Sequence, residues 1–176
     1  RRSSARSAGS TAGKRSARHF VEARPPDVDE EAIARTLALA RLAGAPVFIT
    51  HISTAGGIQL VKAARARGQT VYAEVCIHHL LLDASVYRGT RAERFLVVPP
   101  LRPKEHLEAL WAAIADGTVD TIGSDHAQSR YQPQPADTGD FRSLPYGLAG
   151  IELRLPLFLA EGTRRKIPVR RLSQLL

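Results

Sequence analysis

Three places in this chain put a chemically capable side chain just past a short apolar run. Val119-Asp120-Thr121-Ile122 leads into Gly123-Ser124-Asp125-His126, Pro46-Val47-Phe48-Ile49-Thr50 into His51, and Thr70-Val71-Tyr72-Ala73-Glu74-Val75 into Cys76-Ile77-His78-His79. Short, β-rich runs of this kind read as buried strands. In barrels of alternating strands and helices, the strands' C-terminal ends are where chemistry sits. A carboxylate there can ligate a metal or take a proton, and neutral imidazoles suit zinc and similar divalent ions. A metal with a position left for water lowers that water's pKa toward about 7. His51, His78 and Asp125 would supply three ligands, with Asp125 also serving as general base.

Taken singly, each residue has a plainer reading. Asp125-His126 also fits an Asp that caps a turn, and a lone His past a strand more often meets backbone than metal. His78 and His79 are neighbours, and neighbours in extended chain point to opposite faces, so one of them is expected as a ligand. His78 is the first choice and His79 the alternative. Cys76 is either a soft ligand or, preferably, a buried thiol. Glu74, inside its strand, is expected to support a ligand or to pair across the sheet, and His19 and His106 are expected at the surface. Three such placements together are far less probable by accident than any one alone.

The elements that must position these residues alternate in type. Strands are expected to begin near residues 46, 71, 94 and 119, the third being Arg94-Phe95-Leu96-Val97-Val98, closed by Pro99-Pro100. Helices are expected from Asp27–Asp29 to about Ala43 with Gly44 beyond, from Ser53-Thr54 to about Arg67 with Gly68 beyond, and from Lys104 to Asp116 with Gly117 beyond. A further helix is expected within 147–161, kinked or started at Pro156 and ended by Gly162, and another from Val169. Strands recurring every 23 to 25 residues with helices between them are the pattern of parallel β/α units. Right-handed crossovers then bring all strand ends to one face, so His51, His78 or His79, and Asp125 are expected on one rim. Residues 126–144, rich in Gln, Pro, Asp, Ser and Arg, are expected to form a lid or substrate loop.

At 176 residues with 44% hydrophobic side chains, the chain can bury a sizeable core as one domain. It has no apolar run of 18 residues, so a membrane span is not expected. The single cysteine excludes an internal disulfide and fits a reducing, cytoplasmic setting. Of the net charge of +8, residues 1–24 carry +6, from seven basic residues against Glu22, which leaves +2 for the rest. The basicity therefore belongs to a tail. That tail has no aromatic before Phe20, so nucleic-acid binding is a poor third reading. The first 18 residues are Arg-, Ser- and Ala-rich and begin with Arg, which resembles a transit peptide but reads here as disordered or displaced sequence. The expected division is a basic tail over 1–24 and one domain over 25–176.

From about His19 onward the residues resemble the cyclic amidohydrolases, the hydantoinase/dihydropyrimidinase group with allantoinase and dihydroorotase as cousins. The motifs that carry the resemblance are Arg24-Pro25-Pro26 before an acidic helix, Val47-Phe48-Ile49-Thr50-His51-Ile52-Ser53-Thr54, and Tyr72-Ala73-Glu74-Val75-Cys76-Ile77-His78-His79-Leu80. They continue with Pro99-Pro100-Leu101-Arg102, Gly123-Ser124-Asp125-His126-Ala127, Asp140-Phe141, and Pro145-Tyr146-Gly147 leading to Gly150-Ile151-Glu152.

The resemblance implies an α/β fold, part of a TIM-type (β/α)8 barrel with about strands five to eight and their helices. It implies a metal-dependent hydrolase of cyclic amide C–N bonds in hydantoin- or dihydropyrimidine-like rings. Zinc is the foremost metal, in a binuclear centre, and the full-length family is expected to form homo-oligomers. By that likeness His51 and His78 hold the second metal, and Asp125 ligates the first and shuttles the proton. The backbone around Val98 and Tyr146 holds the ring's amide edges, and His126 is a substrate-side histidine. The family's His-x-His pair and bridging lysine have no counterpart in this chain. Val98 stands where a serine is usual, Tyr146 where an asparagine is usual, and Ile77 where a proline precedes the histidine. The expectation is therefore a partial ligand set and little or no hydrolase activity for the isolated chain. The competing expectation is a non-catalytic remnant or interaction module that pairs with another subunit.

Overall fold

Helix α1, Pro26–Ala43, opens on proline, whose fixed φ suits a first turn, and Asp27 and Asp29 lie in that turn beside the positive end of the helix dipole. It stops at Gly44, which takes the left-handed conformation (φ 63°) that ends many helices. These observations come from a computed structural model that describes residues 14–127 and 140–176. Strand β1, Val47–Ile49, follows, then α2, Ala55–Ala66, whose first turn is closed by Thr54 Oγ accepting the Gly57 N–H at 2.9 Å. Strand β2, Val71–Cys76, passes directly into the short helix α3, Ile77–Leu81. Helix α4, Lys104–Ala115, precedes β3, Thr121–Gly123, and α5, Arg154–Arg164, and α6, Val169–Ser173, complete the described chain.

The three strands form one parallel sheet in the order β1-β2-β3, with Ile49 opposite Ala73 and Cys76 opposite Gly123. Parallel pairing sends every C-terminal end to the same edge, which brings the site residues to one rim. One sheet face, carrying Ile49, Val71, Ala73, Val75 and Ile122, is buried in a core with Leu37, Ile58, Val61, Leu110, Trp111 and Ile114. Alternation puts Phe48 and Tyr72 on the opposite face, where they are paired in register and about half exposed.

The expected strand at Arg94–Val98 does not form. Ala92–Phe95 is a 3-10 turn, and the following residues extend without joining the sheet. The apolar run is buried for another reason: Leu96 and Val97 belong to a second cluster with Phe20, Tyr87, Leu101 and Phe141, and the Leu96 carbonyl accepts the Gly147 N–H at 2.8 Å. The expected tail is also shorter than 24 residues. Ala17–His19 forms a 3-10 turn, and Phe20 is fully buried against Tyr87, Phe141 and Tyr146, with ring centroids 5.3 to 5.8 Å away. Residues 1–13 lie outside the described residues, as do 128–139, which make up most of the expected lid loop.

Two smaller expectations change. Helix α5 begins at Arg154 with Pro156 in its first turn, and it runs through Gly162 instead of ending there. A Cβ on Gly162 would lie 2.6 Å from Leu172 Cδ2, so that glycine serves a close approach of α6 to α5. His106 is half-buried and not freely exposed: its Nδ1 accepts the Ala55 N–H at 3.0 Å, satisfying a free amide at the start of α2. Among the described residues no helix is long and apolar enough to cross a membrane.

Candidate functional site

His51, His78 and Asp125 each stand two residues beyond the last residue of β1, β2 and β3 respectively. Local backbone sets two of them apart. His51 (φ 42°) and Asp125 (φ 43°) take left-handed conformations that cost a non-glycine residue free energy, and among the described residues only Lys166 joins them. Such strain persists where surrounding structure over-determines it, and it gathers at working sites. The surrounding structure here is Glu74. Its backbone carbonyl accepts the Ile52 N–H at 2.9 Å, and its Oε1 faces the His51 N–H at 3.4 Å. On the other side its carboxyl carbon lies 2.7 Å from where a Cβ on Gly123 would be. Glu74 thus lies against the ends of both outer strands. The sequence signal for it was a carboxylate inside an otherwise apolar strand.

Between these ends, α3 changes the expectation for the adjacent histidines. Because the chain turns helical at Ile77, His78 and His79 do not alternate: both are buried, with ring centroids 4.2 Å apart. Cys76 is fully buried beside them, and one ligand atom from each of Cys76, His78 and His79 lies within 4.8 Å of the other two. Neither ring nitrogen of His78 has a hydrogen-bond partner, nor does Nδ1 of His79, while His79 Nε2 lies 2.9 Å from the Pro99 carbonyl. Burial lowers the His78 pKa to about 4, the Asp125 carboxylate opposing and His51 assisting. Burial likewise holds His79 well below the usual histidine range, with His78 adding to the effect, and pushes the Cys76 thiol up. Both imidazoles are therefore neutral at pH 7, the form that binds metals. His51 and Asp125 stand outside this tight group, close enough to influence His78 electrostatically.

Val98 is half exposed, next to a cis Val98–Pro99 bond. Tyr146 spends its side chain inward: its hydroxyl donates to the Phe141 carbonyl at 2.9 Å and its ring packs on Phe20. His126 is exposed, and its Nδ1 accepts the N–H groups of Gly150 and Ile151 at 3.2 and 3.3 Å. Arg102, quoted above only as part of a motif and given no role there, is buried: it pairs with Asp29 and donates to the Arg24 carbonyl and to Ser53 Oγ.

No family model matches the chain. Known proteins do. A D-phenylhydantoinase of Escherichia coli O81 (strain ED1a) is 39% identical over 153 residues, 86% of this chain and 33% of that protein. Among solved structures, a D-hydantoinase from a Bacillus sp. AR9 superposes with a TM-score of 0.88 at 33% identity, covering 94% of this chain and 37% of that one. A dihydropyrimidinase from Brevibacillus agri NCHU1002 gives the same TM-score and coverage at 31% identity. Over most of its length this chain is similar to hydantoinases and dihydropyrimidinases, of the cyclic amidohydrolase group. Its fold is part of the TIM-type (β/α)8 barrel, and it spans about a third of the length of the curated relatives it matches.

Proposed function

We propose that this chain carries one side of a metal-dependent site that opens hydantoin- or dihydropyrimidine-like rings at a C–N bond. The observation that carries the proposal is the pair of left-handed residues His51 and Asp125, at matching positions past two outer strands, with His78 at the same position past the strand between them. The orphaned, buried nitrogens of His78 fit a metal ligand, since buried polar atoms in native folds otherwise find partners. A divalent ion of the zinc class, held by His51, His78 and Asp125, would supply Lewis acidity and a more acidic water.

The chain's own residues would do the rest. Asp125, exposed at the rim, takes the proton from water and returns it to the departing ring nitrogen. Glu74 holds the His51 backbone amide and so fixes the orientation of that ligand. The carbonyl and amide groups around Val98 and Tyr146 meet the amide edges of the ring, and His126, exposed and held through its Nδ1, stands on the substrate side. With the family's His-x-His pair and bridging lysine absent, the isolated chain is expected to turn over hydantoin or dihydrouracil little or not at all. Measurable turnover with stoichiometric metal would refute that part of the proposal.

The ligand assignment is tested with Mn(II), an oxygen- and imidazole-seeking ion that disfavours thiolate. Binding followed by the loss of free Mn(II) electron-spin signal should weaken at least tenfold in Asp125→Asn and in His51→Gln. Equal binding by both variants and the parent would sink the assignment. One observation favours a second reading, an interaction module: the half-exposed Phe48 and Tyr72 face of the sheet awaits cover from elsewhere. A constant monomer mass at all concentrations, together with metal binding, would count against it.

A further inference from the structure

Around the start of helix α3 lies a set of donors, Cys76, His78 and His79, of which the hydrolytic reading uses only His78. His79 Nε2 lies 2.9 Å from the Pro99 carbonyl, an atom that can only accept, so the hydrogen of a neutral ring must sit on Nε2. Its lone pair is then on Nδ1, which is buried and has no partner. An imidazole that donates one N–H to a backbone carbonyl while presenting its other nitrogen bare is the arrangement seen in metal-ligating histidines. Beside that ring are His78, with two bare nitrogens and 5% exposure, and Cys76, with 0% exposure. Buried polar nitrogens left unpaired lose their hydration with nothing in return, so the set calls for an occupant. A tetrahedral ion with donors at about 2.0–2.3 Å wants them about 3.3–3.8 Å apart, and one ligand atom from each of these three lies within 4.8 Å of the other two.

We propose that Cys76, His78 and His79 form a one-thiolate, two-imidazole site for a borderline-to-soft divalent cation of the zinc class, distinct from the ligand pair His51 and Asp125. The cation forms one bond to Cys76 Sγ and one to a nitrogen of each ring. The thiol proton is released to solvent, no electron changes hands, and the fourth position stays open to water. Because His78 serves both this site and the hydrolytic assignment, thiophilic ions compete with the hydrolytic metal for it. The inference stands on the donors themselves and does not require that the hydrolytic reading be right.

Cys76 is the only cysteine in the chain, which makes the test unambiguous, since any thiolate–metal signature must come from it. The metal-free 176-residue chain is titrated with Co(II). The expected result is a thiolate-to-cobalt charge-transfer absorption in the near ultraviolet that saturates at one equivalent, with release of one proton per ion, and is abolished by Zn(II). Blocking of Cys76 by a thiol reagent should slow at least tenfold when Zn(II) is bound, a reading that needs no variant. The charge-transfer band should be absent from Cys76→Ser and weakened at least tenfold in His79→Gln, and retained in a His51→Gln/Asp125→Asn double variant. Absence of the band in the parent would overturn the site. Its loss in the folded double variant would overturn its separateness from the hydrolytic pair. Failure of Mn(II) to respond to His51 and Asp125, with the cobalt band intact, would sink the hydrolytic assignment alone.

Discussion

Replacing Asp125 by glycine should make the protein more stable while removing a proposed ligand. At φ 43° the residue sits in the left-handed region, which costs an L-residue about 1–2 kcal/mol and glycine almost nothing. Glycine's extra freedom in the unfolded chain returns about 0.5–1 kcal/mol of that. Asp125 is exposed, so little packing is lost with its side chain. The net expectation for Asp125→Gly is a gain of about 0.5–1 kcal/mol. Asp125→Ala keeps the strained backbone that glycine relieves, so the two variants should differ by about 1–2 kcal/mol. Urea denaturation of the metal-free protein reads this directly. With a slope of about 2 kcal/mol per molar, the midpoints of the glycine and alanine variants should lie about 0.5–1 M apart. Neither variant should bind Mn(II) as the parent does. Equal midpoints for glycine and alanine would refute the reasoning, because the backbone would then not be held in the strained region that marks this position as functional.

Three further outcomes follow from the packing. Phe20→Ala should cost about 3–5 kcal/mol in urea denaturation, since the ring is fully buried among Tyr87, Phe141 and Tyr146; a loss below 1 kcal/mol would return residues 14–24 to the tail. Gly162→Ala should destabilise by about 1–3 kcal/mol, because the new methyl meets Leu172, itself fully buried; coupling it to Leu172→Ala should recover part of the loss of contact room, and a neutral Gly162→Ala would disprove the close approach. Hydrogen bonds from Arg164 and then Arg165 hold the Glu161 carboxyl down to about 2 from its ordinary 4.5. The folded pKa is depressed, so the stabilisation is fully present above about pH 4.5 and is lost as pH falls toward 2. Screening at Arg164, which is largely exposed, limits it to about 1 kcal/mol. Glu161→Gln should flatten that part of the stability–pH curve, and an unchanged slope would refute the ion pair's role.

Much of the architecture was legible in the residues because it rests on local chemistry. Gly44 and Gly68 end helices as expected, Thr54 caps α2, and the alternation at Val71–Cys76 marks a strand buried on one face. Arg94–Val98 was misread because an apolar run reports burial but not pairing, and its burial comes from Phe20, some 75 residues away in sequence. The His78-His79 pair was misread for a related reason: alternation holds only while the chain stays extended, and β2 gives way to helix one residue after Cys76.

By itself the sequence determined which chemistry is available, namely two imidazoles and a carboxylate beyond apolar runs, and which segments become strand or helix, since both follow from residue type and spacing. Only the tertiary structure decided what those groups face. Left-handed backbone at His51 and Asp125, the carboxylate of Glu74 against both outer strand ends, and the bare nitrogens gathered around Cys76 arise where distant segments meet, and no local preference encodes them. The physical reason is that propensity acts over a few residues, whereas burial and unpaired polar groups depend on everything packed around them.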